Sequence, residues 1–276
     1  MKTAGTATWS SGGVIGRVLP QWGWWAVLLG LGLIAWLVVL LVMADMDEGP
    51  GTPLHTLPVF IAGWVLMLAA MMLPTELTYV GAFSALLRSD DSPTASPVMT
   101  VTCFIAGYGL AWIGYGLLAY VLDVLIRSAD LELVSWFRAG PLLVGSVLVL
   151  AGLYQISPLK RACLNHCRSP ISYFARHWRE GRAGATVMGL QHGLVCVGCC
   201  WALMAVMFAV GAMSLTWMAV LTLFMFAEKL LPHGDKLTVP IACFLWAMGL
   251  WIAVSPDTAP LLKDPLLYGG ICRSVI

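Results

Sequence analysis

Charged side chains are scarce in this chain: 11% of its 276 residues are Asp, Glu, Lys or Arg, where a soluble globular domain carries roughly 25%. With 60% of the residues hydrophobic and a mean hydropathy of +0.87, the composition excludes a water-soluble fold. Fifteen Lys and Arg offset fourteen Asp and Glu to a net charge of +1, so no basic surface or charged tail points to a nucleic-acid partner. A glycine-rich phosphate loop, the His-Glu-x-x-His helix of zinc proteases and the serine-hydrolase elbow are all missing, which leaves the common soluble-enzyme chemistries without support. Nor do the eight cysteines read as a secreted disulfide framework, because most lie inside apolar runs or beside basic residues expected in the cytoplasm. Internal repeats and heptads are lacking too.

Long apolar runs are what the chain has in abundance. Seven can be drawn, at 22–43, 57–87, 98–125, 141–156, 186–210, 215–231 and 237–254, and they predict an all-α fold, a polytopic transmembrane helical bundle. The first run exceeds the roughly 7–15-residue core of a signal peptide and reads as an uncleaved anchor. Counting Lys and Arg on alternate sides gives eleven on one and four on the other, which puts the N-terminus inside. The expected organisation is a cytoplasmic segment 1–21, a membrane domain 22–254 with a cytoplasmic loop 157–185, and a tail 255–276, in a bacterial inner (plasma) membrane. Within the loop, 171–178 is amphipathic and suited to a membrane surface. Pro74 predicts a kink near 70–74, and Gly107, Gly109, Gly114 and Gly116 allow close helix packing in the third run.

The densest chemistry lies in the fifth run, where His192, Cys196, Cys199 and Cys200 spell His-x-x-x-Cys-x-x-Cys-Cys. Residues three, four and seven apart share one helix face. An imidazole and two thiolates on that stripe form a soft ligand set suited to copper(I), with zinc as the alternative, rather than to magnesium or calcium. His192 within a span also costs several kcal/mol unless it is paired or faces a cavity. Such a stripe is expected in the middle of the bundle, facing the second and fourth runs. Glu76, just past Pro74, falls within reach of Cys196 or His192 as a hard partner or proton acceptor, and Met71 and Met72 offer thioethers that suit copper(I). Cys163 and Cys167, one turn apart with His166 between them and basic residues nearby, form a candidate uptake or transfer site at the cytoplasmic surface. Gln155, Glu228 and Lys229 are read as structural polar groups, Gln155 capping or bridging helices and Glu228 pairing with Lys229 or another cation.

Several strings occur in a combination that is rare in hydrophobic segments: Ala69-Ala70-Met71-Met72-Leu73-Pro74, Tyr154-Gln155 with Ser157-Pro158-Leu159-Lys160, Cys163 with Cys167-Arg168-Ser169-Pro170, Gly193 through Cys199-Cys200-Trp201 with Met204, and Trp217-Met218 with Glu228-Lys229. Over residues 57–231 they resemble a bacterial family described as predicted metal-binding integral membrane proteins. The resemblance implies a helical membrane protein that binds a metal. Together the observations predict copper handling, meaning delivery, storage or assembly of another metalloprotein. The lipid bilayer, other subunits of a membrane complex and a metallochaperone are the expected partners. A thiol/redox membrane enzyme and a structural accessory subunit are the competing readings.

Overall fold

A computed structural model describes residues 21–43, 56–89, 96–128, 140–211 and 214–255. The expected N-terminal segment, the acidic stretch 45–48 and the tail with Cys272 lie outside these. The described residues form ten α-helices: α1 (Gln21–Met43), α2 (Leu57–Met71), α3 (Leu77–Ser89), α4 (Pro97–Ser128), α5 (Gly140–Gln155), α6 (Pro158–Cys167), α7 (Pro170–His177), α8 (Gly181–Val210), α9 (Leu215–Leu230) and α10 (Thr238–Val254). Two 3-10 turns, Leu73–Glu76 and Gly234–Leu237, join α2 to α3 and α9 to α10.

Local chemistry sets the breaks. Pro74 lies in the 3-10 turn that follows α2, and the axis bends there by 46°, because proline can neither donate to the preceding turn nor fit beside it. Ser157 caps α6, its Oγ accepting from Lys160 N at 3.1 Å with Pro158 next to it. Proline disfavours a helical residue before it, so α5 stops at Gln155 and the chain turns by 67° into α6. Gly211 terminates α8 with φ +118°, a backbone region that side-chain-bearing residues rarely adopt, and Ser214 then caps α9. The expected 157–185 loop is therefore largely helical, as α6, α7 and the first turn of α8.

Four helical segments, Trp22–Val42, Pro97–Ile126, Gly181–Val210 and Gly234–Val254, are long and apolar enough to cross a membrane, and the bent pairs α2/α3 and α5/α6 raise the number to six if each is one span. The remaining segment of the seven drawn from sequence, α9, is 16 residues long, just under the range of about 17–25 for a span. Large apolar side chains face outward over the bundle, among them Leu41, Leu118 and Leu223.

The central helix is α8, whose buried face carries His192, Cys196, Cys199, Cys200, Met204 and Met207. Its main neighbour is α4, a partner not among those expected from sequence. The reason is backbone proximity: a Cβ on Gly189 would overlap the Phe104 carbonyl oxygen, and one on Gly107 would overlap that of Thr186. Helices this close leave no room for a side chain. Gly109 and Gly114, by contrast, face open space, so the close-packing role expected for all four glycines of α4 does not hold there. The fourth run lies against α8 as α5, with α6 beside it. The second run reaches α8 on both sides of the Pro74 break, through Phe60 and Trp64 against Phe208 and through Glu76 and Tyr79 against His192.

Candidate metal centre

Two elements bring sulfur together in the core. From α8, Cys196 and Cys199 sit one turn apart, and Cys199 Sγ donates to the Cys196 carbonyl at 3.2 Å. From the last residue of α6, Cys167 Sγ comes to 3.6 Å of Cys199 Sγ. Ligand atoms of Cys167, Cys196 and Cys199 all lie within 4.8 Å of one another, and all three residues are buried. Two sulfurs on one ion at a metal–thiolate bond of about 2.3 Å stand at most about 4.6 Å apart, so small side-chain rotations suffice for joint ligation. Cys200 Sγ lies 3.2 Å from Cys199 Sγ, beside the triad. The pairing of Cys163 with Cys167 expected from their spacing is not what the fold uses: Cys163 Sγ packs over Gly198, and Cys167 is turned to the cysteines of α8.

The position of Cys167 is fixed by its neighbours. Arg168 donates to the carbonyls of Glu228, Leu231 and Pro232 at 2.9, 2.7 and 2.6 Å, satisfying the orphan acceptors at the end of α9. Tyr79 OH donates to the His166 carbonyl. Two turns back, Lys160 Nζ reaches Glu228 Oε2 at 2.7 Å, with side chains 0% and 1% exposed, and Gln155 Nε2 donates to Glu228 Oε1 at 2.8 Å. Of the pairings that the sequence left open for Glu228, the structure has the one with another cation, Lys160 from α6, and Gln155 links α5 to α9 through the same carboxylate.

Lys229, the next residue of α9, points to α8 and the Pro74 break. Its ammonium group lies 3.0 Å from Cys196 Sγ, 3.0 Å from Thr75 Oγ1 and 3.3 Å from Glu76 Oε1. Glu76 Oε2 shares a 2.7 Å hydrogen bond with His192 Nε2, and the His192 ring stacks on Tyr79 with centroids 3.7 Å apart. Tyr108 OH is 3.2 Å from Cys196 Sγ. A continuous chain of buried contacts thus runs from the sulfur triad through Lys229 and Glu76 to His192. The thiolate is the metal-binding form of cysteine, and the Lys229 ammonium group is a counter-charge set directly against the Cys196 sulfur. Met71 and Met72 are fully buried in the same core cluster as the cysteines, and the Met72 carbonyl accepts from Thr75 Oγ1 at 2.8 Å.

Sequence reasoning singled out Glu76 and His192 and placed them within reach of each other; the structure joins them by a hydrogen bond. It assigned Lys229 a structural role, took Lys160 as one of the basic residues beside Cys163 and Cys167, and gave no role to Tyr108 or Thr75. A lysine deep in an apolar face was the available signal, because a buried ammonium group needs a partner.

A helical bundle whose core gathers three thiols, one of them against an ammonium group, has the donor chemistry of a protein that handles soft metal ions. Residues 61–252 match the family described as PpoB2, copper chaperone, and the chain belongs to that family. No curated protein and no solved structure matches it.

Proposed function

We propose that this protein is an integral membrane chaperone that binds copper(I) through Cys167, Cys196 and Cys199 and passes it to a copper-using protein. The observation that carries the reading is the convergence of three buried sulfurs from two helices within 4.8 Å, in a chain of the copper chaperone family. Thiolate sulfur selects copper(I) over hard cations. Lys229 offsets part of the negative charge that copper-bound thiolates would bring into an apolar core, and Tyr108 can donate to the Cys196 sulfur. Cys200, next to Cys199, suits the role of exchange ligand when the ion leaves. His192 and Glu76 act from the far side of Lys229, orienting its ammonium group, and Met71 and Met72 line the same cluster. The outward apolar surface and the four to six long apolar helices support placement in a lipid bilayer, proposed to be a bacterial inner membrane, and the basic-residue asymmetry supports an orientation with the N-terminus inside.

The test is element-resolved metal content of the detergent-purified full chain beside Cys167→Ser, Cys196→Ser and Cys199→Ser variants, loaded anaerobically with copper(I) and, separately, with zinc(II). The expected result is tightly held copper in the parent and a loss in each variant, with sulfur neighbours in the copper X-ray absorption spectrum. Equal copper in parent and variants, or retention of zinc alone, would overturn the assignment.

A further inference from the structure

The methionines of the α8–α9 hairpin form a pattern that the cysteine centre does not use. The two helices are antiparallel and their register is fixed at both ends. At one end Val210 and Leu215 flank the short connection, where Ser214 N donates to the Gly211 carbonyl at 3.1 Å. At the other, Lys229 meets Cys196 at 3.0 Å. Both ends give the same pairing, since fourteen residues separate 196 from 210 and 215 from 229. On that register Met225 stands level with Cys200, and Met218 with Met207, while Met204 lies between the two levels. These four methionines are at most 1% exposed and belong to the same core cluster as Cys196, Cys199 and Cys200.

On α8, Cys196, Cys200, Met204 and Met207 recur at steps of four, four and three, which is one face of a helix. On α9, Met218, Met225 and Lys229 recur at steps of seven and four and occupy one face in the same way. Sulfur is therefore placed on both facing stripes from the cysteine triad to the connected end of the hairpin. The distance from Cys200 to Met207 is about 10 Å at 1.5 Å per residue.

The geometry points to a second copper(I) site, made of the thioethers of Met204, Met207 and Met218 with Met225 standing between it and the cysteines, that carries the ion from the cysteine centre toward the connected end of the α8–α9 hairpin. This inference rests on copper binding by Cys167, Cys196 and Cys199. A thioether is soft but neutral, so it accepts copper(I) and holds it less firmly than a thiolate does. Movement along a path requires sites favourable enough to enter and weak enough to leave. The step is a ligand exchange: copper–thiolate bonds break, copper–thioether bonds form, the thiolates take back from water the protons they gave up on loading, and no electron is transferred. Methionine's flexible side chain can turn toward an arriving ion without rebuilding the core.

The experiment is an anaerobic copper(I) titration of the full chain in detergent against a chromophoric copper(I) chelator. The parent should bind one tight and one weaker equivalent. A Met204→Leu/Met207→Leu/Met218→Leu/Met225→Leu variant, which keeps the core volume, should retain the tight equivalent, itself evidence of folding, and lose the weaker one. A Cys167→Ser/Cys196→Ser/Cys199→Ser/Cys200→Ser variant should keep only the weaker one. A parent without a weaker equivalent, or a weaker equivalent that survives the leucine substitutions, overturns the thioether site. Absence of the tight equivalent from the parent, or its survival in the serine variant, instead overturns the cysteine centre.

Discussion

Replacing Glu228 with glutamine tests the idea that buried ion pairs hold the ligand-bearing helix α6 in place. Glu228 is 1% exposed, and it receives both the Lys160 ammonium group at 2.7 Å and the Gln155 amide at 2.8 Å. The introduced glutamine could satisfy Gln155 but would offer Lys160 no negative charge, leaving an ammonium ion with 0% exposure without its counter-ion. Breaking a buried pair by removing one partner costs about 3–5 kcal/mol. For a chain of this size that corresponds to a fall in unfolding temperature of roughly 6–20 °C, taking about 2–4 °C per kcal/mol. Lys160→Met should cost a similar amount, because it strands the carboxylate. The double variant Lys160→Met/Glu228→Gln removes both charges, keeps an amide contact between Gln155 and the introduced glutamine, and should be more stable than either single variant. Thermal unfolding of all four proteins in one detergent measures the cycle. Copper(I) affinity should fall in the single variants and recover in the double variant, because Cys167 lies two turns along α6 from Lys160. If the double variant loses as much as the two single losses combined, the pair is not coupled and this account of α6 is wrong.

Gly189→Ala should abolish folded yield, because its Cβ would overlap the Phe104 carbonyl oxygen. Gly109→Ala, with open space at its Cβ, should express normally on a fluorescence size-exclusion trace and serves as the control. Tyr108→Phe removes the hydroxyl 3.2 Å from Cys196 Sγ and should weaken copper(I) binding by about 2–10-fold, the effect of one hydrogen bond worth about 0.5–1.5 kcal/mol; an unchanged chelator competition curve would show that the hydroxyl does not serve the sulfur. Lys229→Met leaves Cys196 and Glu76 without their shared cation and should reduce copper(I) retention more than Tyr108→Phe does, as read by the same competition. Glu76→Gln should weaken copper binding without unfolding the bundle, and unchanged affinity together with unchanged proton release on loading would make Glu76 a packing residue.

The helices, the break at Pro74 and the sulfur stripe of α8 were legible in the sequence because each depends on local chemistry. A long apolar run forms a helix regardless of its neighbours, proline breaks whatever helix holds it, and residues 192 and 196 share a face with 199 or 200 through helical geometry alone. The third sulfur of the triad was harder to assign. Spacing pairs Cys167 with Cys163, its neighbour one turn away, but the bend at Ser157-Pro158 and the grip of Arg168 on the end of α9 carry Cys167 onto Cys199. That pairing depends on how three helices meet and has no local signature. Lys160 and Lys229 were visible as lysines near apolar segments, yet snorkelling to an interface and burial against a carboxylate produce the same sequence pattern. Only the tertiary arrangement separates them. The main neighbour of α8 was obscured for a related reason. Glycines spaced along α4 announce a close approach, but whether Gly107 or Gly109 makes it depends on which face the partner helix takes.

The two origins of the clustered sulfurs bear on the proposed delivery of copper. Cys196 and Cys199 are set on the 30-residue helix α8, which is locked to α4 by backbone contact at Gly107 and Gly189, so their backbone positions are fixed while their side chains can still rotate. Cys167 ends a helix of 10 residues that packs on α8 through Leu164 and Cys163 and is further held by polar contacts at its two ends: the Lys160–Glu228 pair near the start, and the Arg168 and Tyr79 hydrogen bonds to backbone carbonyls near the finish. Close-packed backbone resists displacement at every point, whereas a set of directional bonds gives way together once its partners move. In the proposed centre Cys167 supplies the third sulfur, and without it two sulfurs of the cluster remain on α8. If copper is held as proposed, variants at Glu228 and Arg168, which grip α6, should change copper(I) retention in the chelator competition, and unchanged retention in both would sever α6 placement from copper handling.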